Sequence, residues 1–281
     1  MPRVLITGTS SGIGLATTVA LARAGWSVVA TMRDLTKRTE LDRALQVAGV
    51  RNDVVVSQLD VTDAQSMDRA VAGLDLHERP LDAVVHNAGV AAGGAFEDLD
   101  DANVRRIMEV NYFGVLALTK RLLPKFRAQR RGRILVISSE SAFAGQPANA
   151  PYCASKWAVE GWAESLAYEV AHFNIEIILV EPGPYRSSIW ETSPRILPKD
   201  SPYFPLLRHL EAVVDAKVRR MARDPAEVGE VVAKALGAKN PRFRYAVGPT
   251  AKFNHFVRGK LPSTVVRKLI GRFLTIDQVR W

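Results

Sequence analysis

The sequence predicts a doubly wound α/β fold: a parallel sheet of about seven strands, covered by helices on both faces, in a single domain. Three observations carry that prediction. Short β-branched apolar runs alternate with segments of helical period over the first 190 residues. The runs are apolar throughout rather than at every second residue, as in strands buried on both faces. A glycine-rich turn joins the first run to the first helical segment, and such sheets bind ligands beyond the carboxyl ends of their strands.

Val4–Thr7 reads as the first strand. Ile13–Ala24 follows with helical spacing at Ile13, Ala16, Thr17, Ala20, Leu21 and Ala24, and it stops at Gly25, a C-cap residue. Further strands are read at Val28–Met32, Val54–Leu59, Ala83–Asn87, Ile134–Ser138 and Ile175–Val180. Helical patterns lie between them near 36–48, 63–76, 102–129 and 153–172, the crossovers that parallel pairing requires. After Pro182, five further prolines from Pro184 to Pro205 break the chain before a helix over 206–222. Residues 184–224 are therefore read as a lid over substrate. A helix over 225–237 and a strand at Tyr245–Val247 complete the sheet, and residues 240–281 form a basic extension.

Hydrophobic residues make up 47% and charged residues 24% of 281, ordinary for a soluble globular protein. No apolar run approaches the roughly 18 residues of a spanning helix. A single cysteine, Cys153, excludes an internal disulfide, and the start MPRVLITG enters a strand directly. A cytoplasmic location is the expectation. Scattered histidines offer no zinc spacing, so no metal is expected. Nucleic-acid-binding signatures are absent too, and no nucleic acid is expected. The charge is uneven: residues 1–203 hold 22 basic and 23 acidic side chains, whereas residues 240–281 hold 9 and 1. Such a tail favours an anionic partner or serves as a solvated surface. Ser263 and Thr264 can cap a helix over 264–274. There Val265, Val266, Leu269, Ile270, Phe273 and Leu274 form one stripe flanked by Arg267, Lys268 and Arg272. The stripe docks on the body or a partner subunit, the favoured reading, or lies on an anionic membrane surface.

The turn Thr7-Gly8-Thr9-Ser10-Ser11-Gly12-Ile13-Gly14 reads GxxxGxG. Its glycines allow close backbone approach, and the helix N-terminus behind it faces a pyrophosphate. Gly8, Ser10, Ser11, Gly12, Ile13 and Gly14 are thus candidates for binding a dinucleotide. Tyr152 and Lys156 stand at i and i+4 on one helix face. Carbonyl reduction needs an acid for the developing alkoxide, and alcohol oxidation the matching base. An ammonium beside a phenol stabilises the phenolate, so Tyr152 is expected to titrate below its usual value near 10.

TGTSSGIG resembles the cofactor loop of the short-chain dehydrogenase/reductase family. His86-Asn87-Ala88-Gly89 is similar to that family's NNAG, Tyr152-Cys153-Ala154-Ser155-Lys156 to its YxASK, and Pro182-Gly183 to its PG. The match covers residues 3–190, and Ala30-Thr31-Met32-Arg33-Asp34-Leu35 looks like the hydroxysteroid and retinol dehydrogenase branch. The resemblance implies a Rossmann-type fold and an oxidoreductase in which Tyr152 is acid or base beside Lys156. It assigns Ser139, thirteen residues before Tyr152, the hydroxyl that bonds the substrate oxygen, with Ser138 and Ser141 as its neighbours. It assigns Asn111 the support of a proton-relay water. Asp60 and Val61 correspond to the adenine contacts, Asn87, Ala88 and Gly89 to the nicotinamide side, and Pro182 and Gly183 to the loop beyond it. Ser187 stands where the family commonly has a threonine at the carboxamide. A homodimer or homotetramer formed through the helices at 102–129 and 153–172 is also implied.

An NAD-selective site ends its second strand with an acid that accepts from the ribose hydroxyls. Here that place holds Thr31, and Arg33 follows. A guanidinium binds a 2′-phosphate through paired charge-assisted bonds, and Ser10 adds a hydroxyl. NADP is therefore expected over NAD, with the Asp34 carboxylate as the opposing feature. The lid, with Tyr185, Ile189, Trp190, Leu197 and Phe204, suits an apolar substrate. Tyr185 and Trp190 join Ser139 and Tyr152 as expected substrate contacts. The expected substrate is a ketone, aldehyde or alcohol of steroid, retinoid or aryl type. A non-catalytic NADP-binding regulator on the same fold is the alternative, and it would not need Tyr152, Lys156, Ser139 and Asn111 together. Cys153 lies about 100° around the helix from Tyr152 and reads as packing.

Overall fold

The computed structural model describes residues 1–187, 189–257 and 260–279, without the side chains of Trp190, Glu191, Lys217, Val218 and Arg219. The strands are β1 (Arg3–Thr7), β2 (Ser27–Met32), β3 (Val54–Gln58), β4 (Ala83–His86), β5 (Gly132–Ile137), β6 (Ile175–Pro182) and β7 (Arg244–Val247). They form one parallel sheet in the order β3-β2-β1-β4-β5-β6-β7. The chain winds outward from β1 to β3, returns to β4 on the other side of β1, and winds out again. The crevice opens at that reversal, beyond the carboxyl ends of β1 and β4.

The helices are α1 (Gly12–Arg23), α2 (Thr39–Ala48), α3 (Ala64–Ala72), α4 (Asp101–Met108), α5 (Gly114–Gln129) and α6 (Ala150–Val170). After β6 come α7 (Ile189–Thr192), α8 (Phe204–Val213), α9 (Ala226–Gly237), α10 (Pro249–Val257) and α11 (Ser263–Phe273). Successive strand residues face opposite sides. Val4 and Ile6 pack under Leu21, Leu41 and Val232 from α1, α2 and α9, whereas Leu5 and Val84 pack under Met67, Leu122 and Val159 from α3, α5 and α6. Each fully buried aliphatic side chain contributes about 1.5–3 kcal/mol, so both faces must be covered for the sheet to persist.

The structure departs from the sequence reading in four places. The helix expected over 102–129 is broken by a π turn, Glu109–Phe113, which buries Asn111. The helix expected over 206–222 runs from Phe204 to Met221 but is interrupted by a second π turn, Val214–Val218. Helix α10 has no counterpart in that reading; Gly248 at φ +89 turns the chain into it. The Ser263–Thr264 cap is not formed, because Pro262 holds the cap position and Ser263 already lies in the helix. The tail docks on the body as favoured: Ile270 and Leu274 pack with Leu206, Leu210 and Val213 of α8.

A buried charge cluster ties β7 to α6. Arg244 pairs with Glu160, Glu164 and Glu181. Glu160 also accepts from Ser138 Oγ at 2.6 Å, so the cluster reaches the end of β5.

Candidate active site

β1 delivers Thr7 to the glycine turn. Thr7 Oγ1 accepts from the backbone N–H groups of Asn87 and Ala88, both at 3.0 Å. Asn87 Nδ2 donates back to the Thr7 and Gly8 carbonyls at 2.9 and 2.7 Å. The glycine turn and the end of β4 therefore form one hydrogen-bonded unit. Gly8 and Gly12 have φ of +71 and +55, in the left-handed region. A Cβ on Gly8 would lie 2.8 Å from Ala88 Cα, and one on Gly14 would lie 2.1 Å from the Gly8 carbonyl oxygen. The result is a backbone-walled hollow at the N-terminus of α1, whose free N–H groups attract anionic oxygen. A pyrophosphate fits it. Ser10, Ser11, Gly12 and Ile13 line its wall.

From this hollow a cavity of about 1290 Å³ runs past Tyr152 to the lid. Tyr152 and Lys156 lie one turn apart on α6, and Ser139 lies just past β5. Lys156 Nζ donates to the Ile137 carbonyl at 2.9 Å and stands 5.7 Å from the centre of the Tyr152 ring. Ser138 donates to Glu160, and the Ser141 N–H donates to Ser139 Oγ at 3.1 Å. Ser139 Oγ also donates to Ser141 Oγ at 3.2 Å, and its hydroxyl is the one that bonds Tyr152.

The expectation that Lys156 draws Tyr152 below its usual range is corrected. Burial pushes Tyr152 up to about 12, with the Ser139 hydroxyl opposing only part of the shift. Burial likewise pushes Lys156 down to about 8. Both neutral forms are favoured out of water, and the Lys156 amine is turned to a carbonyl rather than to the phenol. Tyr152 is held as a proton donor. Two hydroxyls, Ser139 and Tyr152, can then converge on one carbonyl oxygen.

The family model for short chain dehydrogenases matches residues 2–195. The chain is a short-chain dehydrogenase/reductase. Retinol dehydrogenase 8 of Bos taurus is 36% identical over 258 residues, covering 86% of this chain and 80% of the relative. The 17-beta-hydroxysteroid dehydrogenase type 1 of Homo sapiens is 35% identical over 267 residues, covering 92% and 80%. These relatives put the dehydrogenase in the hydroxysteroid and retinol branch, among oxidoreductases of CH–OH and C=O groups. The crystal structure of a short-chain dehydrogenase from Streptomyces avermitilis superposes with a TM-score of 0.79 at 28% identity, covering 99% of this chain and 98% of that one. Structures of the same fold hold NADP or NAD.

Other residues of the dehydrogenase fall into place around this frame. His86, where the family pattern has asparagine, pairs with Thr119 Oγ1 at 3.0 Å; burial pushes it down to about 3, so it is neutral. Asn111 lies behind the cavity. Its amide bonds the Val90 N–H at 2.8 Å, the Val90 carbonyl at 2.9 Å and Ser155 Oγ at 3.0 Å, which fixes the wall beside Gly89. Asp60, Val61, Gly89, Pro182, Gly183 and Ser187 all line the cavity. Cys153 is buried in packing.

At the outer rim the strand-end reading is corrected in one respect. Thr31 is fully buried and donates to the Ile6 carbonyl at 2.9 Å, so Met32 and Arg33 form the edge where a ribose acid would stand. Asp34 forms no ion pair with Arg33, although the Arg33 charge acts on it. It accepts from the Thr36 N–H and hydroxyl at 3.0 and 2.7 Å, capping Leu35–Arg38. Among the described residues Arg33 forms no ion pair.

The lid assignments divide. Tyr185 borders the cavity, but its ring is in the core and its hydroxyl donates to Glu227 Oε2 at 2.9 Å; it is chiefly a packing residue. The Trp190 side chain lies outside the described residues. Leu197, Leu207 and Ile189 do line the cavity. The sequence reading missed Glu140, Thr250, Phe253 and Asn254, which wall the cavity between β5 and α10. Only the position of Glu140 directly after Ser139 signalled any of them.

Proposed function

We propose that this dehydrogenase interconverts a ketone or aldehyde and the matching alcohol on a lipophilic substrate of steroid, retinoid or aryl type, using NADP(H). The observation that carries the reading is the convergence of the Ser139 and Tyr152 hydroxyls in a large cavity continuous with the glycine hollow. A bound nicotinamide nucleotide supplies or takes the hydride. The chain's own residues do the rest. Ser139 donates to the substrate oxygen and orients it. Tyr152, held protonated by burial, gives its proton to the alkoxide oxygen during reduction and regains it from bulk through the site's polar groups. Lys156, which borders the same cavity, bonds the nucleotide's sugar in this reading. Arg33, exposed at the rim and unpaired among the described residues, supports NADP because it is free to take a 2′-phosphate. A protonated Tyr152 beside Ser139 on the cavity wall favours catalysis over a purely regulatory NADP-binding role.

The deciding experiment is NADPH and NADH oxidation with a panel of apolar ketones and aldehydes. Tyr152→Phe should lose about 100-fold or more in turnover while NADPH affinity holds within about twofold. Wild-type turnover by that variant would refute the assignment.

Two partner readings accompany this one. Phe113, Trp157 and Tyr168 stand exposed around α5 and α6, which supports a dimer or tetramer through those helices. On α11, Val265, Leu269 and Phe273 are 39%, 43% and 46% exposed beside Arg267, Lys268 and Arg272, although Leu269 and Phe273 also border the cavity. That composition supports peripheral contact with an anionic membrane. Among the described residues no helix is long and apolar enough to cross one. Cosedimentation with anionic vesicles at low salt tests the contact; no binding would sink it.

A further inference from the structure

Glu140 follows Ser139 directly and opens the 3-10 turn Glu140–Ala142. Its carboxyl faces the cavity between the loop at Gly183 and α10. Asn254 Nδ2 donates to its Oε2 at 3.1 Å. The Thr250 hydroxyl lies nearby without a well-formed hydrogen bond. No lysine, arginine or histidine among the described residues pairs with it. Burial pushes this carboxyl above the usual carboxylate range, and Thr250 and Asn254 counter only part of the shift. Its charge also reaches the Tyr152 hydroxyl, so it stands within electrostatic range of the reacting centre.

Glu140 is half-buried, and a carboxylate partly withdrawn from water without a counter-ion among the described residues is costly unless something else supplies the charge. A neutral donor would leave the charge uncompensated, whereas a cation would complete the pair. We propose that Glu140 is a specificity-determining group that receives an ammonium carried close to the reacting carbonyl of an otherwise apolar substrate. The substrate class is thereby narrowed to amino ketones, or the corresponding amino alcohols, with an apolar body. The inference rests on the reading of this cavity as the site of carbonyl reduction.

The test compares 2-(methylamino)acetophenone with butyrophenone, which matches it in shape but lacks the amine. Affinities are measured by calorimetry on the NADP⁺-loaded protein at a pH that keeps the amine protonated, and kcat/KM is measured with NADPH. The wild type should favour the amine by about tenfold or more, and Glu140→Gln should erase most of that ratio. A ratio unchanged in Glu140→Gln overturns the proposal. A wild type with no preference in the binding assay also overturns it. So does a variant whose main change is in NADP⁺ affinity, since the carboxylate would then face the nucleotide. Glu140-dependent binding without turnover of either ketone would sustain the recognition role and sink the reductase reading instead.

Discussion

Arg244→Met removes the cation at the centre of a buried cluster. The guanidinium meets Glu160 Oε2 at 3.0 Å, Glu164 Oε1 at 2.6 Å and Glu181 Oε1 at 2.9 Å. Glu160 is 2% exposed and Glu181 0%, so neither carboxylate can recover its lost partner from water. Methionine retains most of the apolar stem, which isolates the electrostatic loss from a packing loss. Removing one partner of a buried pair costs about 3–5 kcal/mol. With an unfolding entropy of roughly 2.1 cal/mol/K per residue, a chain of this length has about 0.6 kcal/mol/K in total. A loss of about 4 kcal/mol then lowers Tm by about 7 °C. Scanning calorimetry reads the shift. The control is Arg186→Ala, which removes the Arg186–Asp224 pair at 2.9 Å, with side chains 64% and 65% exposed. That pair is worth about 0–1 kcal/mol, a shift of less than about 2 °C. If Arg244→Met melted as close to the wild type as the control does, the reasoning about the buried cluster would be refuted.

Gly14→Ala would place a Cβ 2.1 Å from the Gly8 carbonyl oxygen and 2.4 Å from Asn87 Nδ2, in the hollow meant for the pyrophosphate. It should lower stability by about 1–3 kcal/mol and cut NADPH affinity at least about tenfold, whereas Gly145→Ala, with nothing within 4 Å, should leave both unchanged. Arg33→Asp should move nucleotide preference from NADPH toward NADH in fluorescence titrations; an unaltered ratio would remove Arg33 from the phosphate site. Because burial raises Tyr152 to about 12, its proton stays on as pH climbs through the neutral and mildly alkaline range. Ultraviolet difference spectra of wild type against Tyr152→Phe should therefore show no tyrosinate from this residue below about pH 10 in the free protein. A signal there would restore the low-titrating phenol expected from the Tyr152–Lys156 spacing.

Much of this molecule is written locally in its residues. The apolar runs at Val4–Thr7, Val28–Met32 and Ile175–Val180 fall on β1, β2 and β6, because period and burial on both faces are properties of short segments. The glycine turn is legible for the same reason: left-handed backbone and close approach demand glycine wherever they occur, so Gly8 and Gly12 mark the hollow. The i, i+4 placement of Tyr152 and Lys156 likewise follows from helix geometry alone. What the residues could not disclose depends on contacts between distant segments. The titration of Tyr152 is set by how deeply α6 sits against β5, and burial reversed the sign expected from spacing. Thr31 turns inward to Ile6 and Asp34 turns to Thr36, so the rim passes to Arg33. The cavity wall that joins Glu140 to Asn254 spans 114 positions of sequence. Helix α10, which supplies it, left no periodic signature strong enough to read. Local backbone chemistry thus determined the frame and the Tyr152–Lys156 spacing, whereas desolvation and long-range pairing, which exist only after packing, decided the proton state, the outer rim and the charge facing the cavity.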